Sequence, residues 1–310
     1  MAYSYLAIYI LGYLAVYLYL YFTAVLRSFG NSMFQAVAML VSTILNAILD
    51  PIFIHFIGFH GAAIATLLSQ VICLAFMLIY LKKKKLFEFK ISAFDKNDVL
   101  TLIQKAIPSV IQQSIPAIST TFLTALVSTY SVTAIAAYGV TGKLETILFY
   151  PAMALNMVLT TIIGQCVGGA RYDRAKDYLK CALGYGCGLL VILSVLVVGF
   201  SKQLSGLFVK SDAVAAIVGT YFLIVSVGYI LNTVTNCYLG ALNGMGKPSK
   251  SMFLMIFYYI VVRMPLAYLL SYLGFGLNGI WVAVLVSHVV ASVAAGISGT
   301  IAIKKRTSTT

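Results

Sequence analysis

The chain has 310 residues, 61% of them hydrophobic and 9% charged, with a mean hydropathy of +0.99 and a net charge of +13. Soluble domains are about 45–50% apolar and about 25% charged, and disordered chains lack this aromatic and β-branched content; both classes are excluded, and an all-α polytopic membrane protein remains. The positive charge lies in short patches between long apolar runs, which points to membrane topology and away from nucleic acid.

At about 20 apolar residues per span, nine transmembrane helices are predicted, near residues 5–26, 33–55, 61–81, 100–128, 132–168, 181–200, 214–242, 251–272 and 279–303. The first is too long, and too poor in basic residues at its start, for a cleavable signal peptide. It carries tyrosine at every fourth position from Tyr5 to Tyr21. Tyr9, Tyr13 and Tyr17 are candidates to offer π-faces to a cationic substrate; anchoring at the membrane interface is the alternative.

The second span holds Asn46 and Asp50, four residues apart and so on one side of the helix. A partly desolvated carboxylate there can load and release a proton, with the Asn amide bonding either form. The plain alternative is that Asp50, followed by Pro51, ends the helix near the outer face. Lys82 to Lys85 open a stretch over 83–98 that reads as a cytoplasmic surface linker between two lobes.

The fourth span carries Gln112 and Gln113 as cavity candidates, with Pro108 and Pro116; the fifth carries Lys143, Glu145 and Pro151. Asn232 and Asn236 lie four apart on the seventh span, lining the cavity or bonding to a neighbouring helix. Arg263 sits on the eighth beside Pro265. Ionisable groups within spans are costly and default to functional candidates. Glu145 and Arg263 fall at similar depth, and the expectation is a cross-helix ion pair, either switching during a transport cycle or static. Gly164/Gly168, Gly184/Gly188 and Gly240/Gly244 fit close helix packing. The GxGxxG string Gly274 to Gly279 joins two spans with no strand before it, so no dinucleotide site is expected.

Seventeen basic residues fall in alternate loops and two, Lys202 and Lys210, in the others. The expected orientation places the C-terminus in the cytoplasm. The five cysteines form no CxxC pair, and His55, His60 and His288 are scattered. Neither a metal site nor an enzyme is expected.

The chain also repeats itself. At an offset of 216, Tyr5, Ile8, Gly12 and Tyr13 meet Tyr221, Ile224, Gly228 and Tyr229; Leu26 and Gly30 meet Leu242 and Gly246; Gly58 meets Gly274. After a two-residue insertion, Gly61, Ala65, Leu67, Ser69 and Val71 meet Gly279, Ala283, Leu285, Ser287 and Val289. The first copy has three spans and the second is preceded by three more without partners. The expected parent is two six-helix lobes. Residues 1–82 are then the last three helices of the first lobe, 83–98 the linker, 99–303 the complete second lobe and 304–310 a basic tail. Three further helices are expected before Met1, and the 310 residues alone are not expected to transport.

Several stretches carry a resemblance: Leu26-Arg27-Ser28-Phe29-Gly30-Asn31, Leu45-Asn46-Ala47-Ile48-Leu49-Asp50-Pro51, Gly61-Ala62-Ala63-Ile64-Ala65-Thr66, Ala134 to Gly139, Gly164 to Gly169 with Arg171, and Gly240 to Gly246. In this order and spacing the chain resembles MATE (multidrug and toxic compound extrusion) transporters, as helices four to twelve of that fold. The resemblance implies two lobes around a central cavity and alternating-access export of small amphipathic, often cationic compounds, driven by a proton or sodium gradient, with no cofactor beyond the transported ion. It also implies that Asn46 and Asp50 are the first-lobe coupling pair. Some branches carry acidic ion ligands in the fold's seventh and tenth helices. Here Gln112, Gln113, Asn232 and Asn236 stand in those spans, which argues against a second-lobe sodium site. A monomer in the cell membrane, with the bilayer as its surroundings, is expected. A lipid-linked oligosaccharide flippase of the same superfamily would share the repeat but need more cationic residues than Lys143 and Arg263; a non-functional membrane fragment is the remaining reading.

Overall fold

A computed structural model describes residues 2–30, 32–58, 60–85 and 95–307; for 2–9, 11, 32 and 305–307 it describes the backbone alone. The elements among the described residues are all helices: α1 Ala2–Ser28, α2 Ser32–Ile57, α3 His60–Lys83, α4 Lys96–Ser128, α5 Val132–Gly168, α6 Tyr172–Gly199, α7 Ser201–Gly206, α8 Asp212–Gly244, α9 Pro248–Ile256, α10 Met264–Leu270 and α11 Gly276–Thr307. It divides into two compact units, residues 1–94 and 95–310.

Seven helical runs among the described residues are long and apolar enough to cross a membrane. The last, Pro248–Lys304, has 57 residues, about twice what a bilayer needs. It turns at Gly274 and Gly276, whose φ values of 88° and 59° only glycine adopts readily; it therefore makes two passes. With α1, 27 residues long, the described residues make nine passes, the number expected.

Boundaries differ where charge obscured them. α6 starts at Tyr172 instead of 181, because Asp173, Arg174, Lys176 and Asp177 form an amphipathic turn before the apolar run. Side-chain caps start three helices: Asp95 accepts from the Asn97 amide at 2.8 Å, Ser131 from Ala134 at 3.0 Å and Ser211 from Val214 at 3.5 Å. Each satisfies an N–H that has no partner within the helix.

Between α9 and α10 the residues Phe257–Arg263 form a π-helical stretch, in which the Met264 amide donates to the Tyr259 carbonyl five residues back. Pro265 supplies the reason. Its ring lacks an N–H and crowds the carbonyl four residues earlier, and a widened turn relieves that clash.

The repeat reappears in backbone conformation. Gly30 and Gly246 have φ of 78° and 71°, and Gly58 and Gly274 have 72° and 88°. Equivalent glycines thus make equivalent left-handed turns in each unit. In unit 1, α1 and α3 pack around Tyr19, Phe22, Leu26, Cys73 and Met77. In unit 2, α5 and α8 cross at Gly240 and Gly244, where an added Cβ would stand 2.5 Å from the Asn156 carbonyl oxygen and 2.7 Å from that of Thr160. Of the three glycine pairs, Gly240/Gly244 packs as expected; of Gly164/Gly168 only Gly164 does, facing Gly244, while Gly168 meets nothing within 4 Å. Gly184/Gly188 does not: both are exposed and meet nothing within 4 Å, and Gly186, on the opposite face, is the glycine of α6 that packs, against Leu155 and Thr233.

Candidate functional site

Polar side chains inside an apolar bundle must find partners there, because lipid supplies none. Of the eight carboxylic residues in the sequence, two lie well inside helices that cross the membrane: Asp50 in α2 and Glu145 in α5. Each anchors one polar group.

In unit 1, Asn46 and Asp50 are half-buried and bonded: Asn46 Nδ2 donates to Asp50 Oδ1 at 3.1 Å. The same nitrogen donates to Thr66 Oγ1 on α3 at 3.3 Å, and Thr66 donates in turn to the Ala62 carbonyl at 3.0 Å. The helical spacing brings the first two together as the sequence predicts. Thr66 was not among the candidates, since no local spacing reveals which residue of α3 reaches α2. The group joins a carboxylate, an amide and a hydroxyl, with no cation bonded to it among the described residues. Oxygens arranged this way suit a proton or a small hard cation.

Along α1, Tyr13 and Tyr17 are both 58% exposed, and Tyr19 is buried in the unit's core. Tyr9 was the third candidate of that stripe; its side chain lies outside the described residues. So does most of the linker expected over 83–98, namely residues 86–94.

In unit 2 the expected Glu145–Arg263 ion pair is not the contact formed. Glu145 Oε1 accepts from the hydroxyls of Tyr221 at 2.5 Å and Tyr229 at 2.9 Å, both on α8. Arg263 turns to α11 instead: Nε donates to Ser287 Oγ at 2.7 Å and Nη2 lies 3.2 Å from His288 Nε2. Its guanidinium also sits 4.3 Å over the Tyr259 ring, a favourable cation–π distance. Depth alone suggested the ion pair. Two hydroxyls of α8 meet the carboxyl, while the buried guanidinium of Arg263 is satisfied by α11 and the Tyr259 ring. Lys143 is exposed and takes no part, as the i, i+2 spacing requires.

Asn232 is buried and Asn236 half-buried. Asn236 donates to the Asn232 carbonyl at 3.0 Å and accepts from Asn156 on α5 at 3.4 Å; of the two roles left open for this pair, helix bonding is the one the contacts display. Gln112 is buried and Gln113, its neighbour, is exposed, so the two do not share a surface. Among the described residues no group of three His, Cys, Asp or Glu side chains is placed to hold a metal.

Comparison with known proteins gives the following. The family model described as MatE matches residues 108–269. The probable multidrug resistance protein NorM of Pasteurella multocida is 32% identical over 153 residues, covering 48% of this chain and 33% of that protein. The FAD transporter of Shewanella oneidensis is 26% identical over 281 residues, covering 87% of this chain and 61% of that protein. The chain thus spans less than two thirds of the length of either relative. Among solved structures, one described as MATE in complex with MaL6 superposes with a TM-score of 0.91 at 22% identity, covering 98% of this chain and 70% of that one; at that identity the likeness concerns the fold.

Proposed function

The chain belongs to the MatE family, and from that premise we propose that it serves secondary active efflux: export of small amphipathic cations in exchange for protons, with Asp50 as the group that loads and releases the ion. The observation that carries this reading is the Asn46–Asp50–Thr66 arrangement, a carboxylate bonded to a neutral amide that is itself tied to α3, inside a span. Neutral donors serve both protonation states, whereas a paired cation would hold the carboxylate ionised. Protons are favoured over sodium because the bonds given to these three side chains run among themselves and to one carbonyl, short of the six or so oxygens a bare alkali or alkaline-earth ion gathers.

One relative is named for FAD, a very different cargo, so the substrate class is assigned from this chain's own residues. An intramembrane carboxyl and the exposed rings of Tyr13 and Tyr17 suit an organic cation. The protein works as a monomer in the cell membrane with its C-terminus in the cytoplasm; the seventeen-to-two division of basic residues supports that orientation. An oligosaccharide flippase would need cations offered to a pyrophosphate. Arg263 is instead committed to Ser287, His288 and Tyr259.

The test is made on binding. Purified protein in lipid nanodiscs and lightly buffered medium is titrated with tetraphenylphosphonium. Wild type releases protons; Asp50→Asn, which keeps the shape and hydrogen-bonding reach, does not. Equal release from both refutes the role of Asp50, and release provoked by sodium ions alone, with none by the organic cation, refutes proton-linked efflux.

A further inference from the structure

Glu145 is the one carboxyl in the interior of unit 2, and its surroundings are not those of a structural ion pair. Two phenol hydroxyls converge on Oε1. Either protonation state of Glu145 can accept both bonds on one oxygen, which leaves Oε2 as the atom that gains or loses a proton. Arg263, close enough to act on Glu145 through space, is bonded to Ser287 and His288.

The donor logic of that contact fixes a second charge. Guanidinium nitrogens only donate, so His288 Nε2 accepts and the imidazole is neutral with its proton on Nδ1. Tyrosines facing the carboxyl are neutral donors. Glu145 is then the group in this cluster free to change charge near neutrality.

An independent observation lies beside it. His288 Nδ1 and the indole Nε1 of Trp281 are buried without a hydrogen-bond partner among the described residues, each side chain 1% exposed. The Trp281 ring stands 4.8 Å from that of Tyr221, whose hydroxyl holds Glu145. Buried donors left without an acceptor are rare, and where they occur they usually meet water or a ligand. One of these donors borders Tyr221, and the other belongs to the ring that meets Arg263.

We propose that Glu145, held by Tyr221 and Tyr229, is a second proton-carrying site built wholly within unit 2. It takes up a proton on Oε2 and returns it to water that reaches the cluster through the Trp281 and His288 donors. With Arg263 fixed positive, the cluster is neutral when Glu145 is ionised and carries +1 when it is protonated. The groups facing Glu145 are Tyr221 and Tyr229 from α8, Arg263 with Tyr258 and Tyr259 behind it from the π-helical stretch, and Tyr138 from α5 itself; His288 from α11 lies against Arg263, and Lys143 on α5 is exposed. An ionised Glu145 attracts Arg263 away from Ser287 and His288, and a protonated one leaves it there. Arg263 ends the widened stretch ahead of Pro265, where backbone bonds can change register at little cost. This site goes beyond the reading of Asp50 and does not rest on it.

The chain has one tryptophan, and Trp281 is therefore a local reporter. The full chain in lipid nanodiscs is titrated with acid while Trp281 emission is followed under tryptophan-selective excitation. Wild type shows a single transition, Glu145→Gln abolishes it and Asp50→Asn leaves it in place. Tyr229→Phe displaces the midpoint by about one pH unit, as loss of a hydrogen bond to a charged group does, and this variant tests the same carboxyl should Glu145→Gln fail to fold. A transition that survives in Glu145→Gln overturns the proposal, as does a wild type with no transition or a Tyr229→Phe midpoint equal to that of wild type. Proton release on tetraphenylphosphonium binding reads Asp50 separately.

Discussion

The spacing of α5 and α8 decides whether Glu145 reaches its tyrosines, and Gly240→Ala tests that spacing directly. The new Cβ would stand 2.5 Å from the carbonyl oxygen of Asn156 and 2.9 Å from its Cα. Both are backbone atoms locked in the ladder of α5, so no side chain can move aside. Ordinary carbon contacts lie at about 3.5–4.0 Å, and the helices must part by about an ångström. Overpacking of this kind costs about 1–3 kcal/mol, and the better helix propensity of alanine offsets about 1 kcal/mol. A net loss of about 1–2 kcal/mol is expected. Gly188→Ala is the control: the same atom is added to a helical glycine with nothing within 4 Å, and stability should rise by up to about 1 kcal/mol. Thermal unfolding in nanodiscs, followed by Trp281 emission, gives both changes against wild type. If Gly240→Ala unfolds at or above the temperature of Gly188→Ala, the close approach of α5 and α8 is wrong.

Other substitutions follow from the same contacts. Thr66→Val keeps the side chain's shape but removes one acceptor of Asn46; it should cost unit 1 about 1 kcal/mol and reduce proton release on tetraphenylphosphonium binding. Arg263→Met leaves Ser287 and His288 without their donor and should lower stability by about 1–3 kcal/mol, whereas Lys143→Met, at an exposed position, should stay within about 0.5 kcal/mol; unfolding curves compare the two. Pro265→Ala restores a backbone donor and lets the Phe257–Arg263 stretch return to α-helical bonding. Slower amide hydrogen exchange between residues 257 and 265 is the expected sign.

Contacts within one turn of helix were legible in the sequence, and contacts between helices were not. Asn46 and Asp50 meet because i and i+4 share a face, whatever else the fold does. Thr66 is 20 residues from Asn46, and its role depends on the register between α2 and α3, which hydropathy does not encode. The same limit explains Glu145. Opposite charge and equal depth nominated Arg263, while its actual partners lie 76 and 84 residues away on α8 and carry no charge to announce them. Gly184 and Gly188 show the limit in reverse: their spacing fits a packing motif, but the packed face of α6 passes through Gly186. The repeat fared better because glycine reports backbone conformation. Gly30 with Gly246 and Gly58 with Gly274 are paired in sequence and again in their left-handed φ values.

The two intramembrane carboxyls share a design that yields one more prediction. Asp50 has an amide and a hydroxyl nearby, Glu145 two phenols, and neither is bonded to a cation among the described residues. Near a charge buried in protein, a cation at about 4 Å contributes about 4 kcal/mol at an effective dielectric of about 20. That corresponds to roughly three orders of magnitude in proton occupancy. A carboxyl so paired stays ionised through any physiological pH change, and neutral donors avoid this while still satisfying the group in either state. Thr66→Lys brings an ammonium to the group around Asn46 and Asp50, at a half-buried position. The variant should fold, retain the Trp281 transition of unit 2 and lose the proton release that accompanies tetraphenylphosphonium binding. Undiminished proton release from Thr66→Lys would mean that the ion is exchanged somewhere other than Asp50.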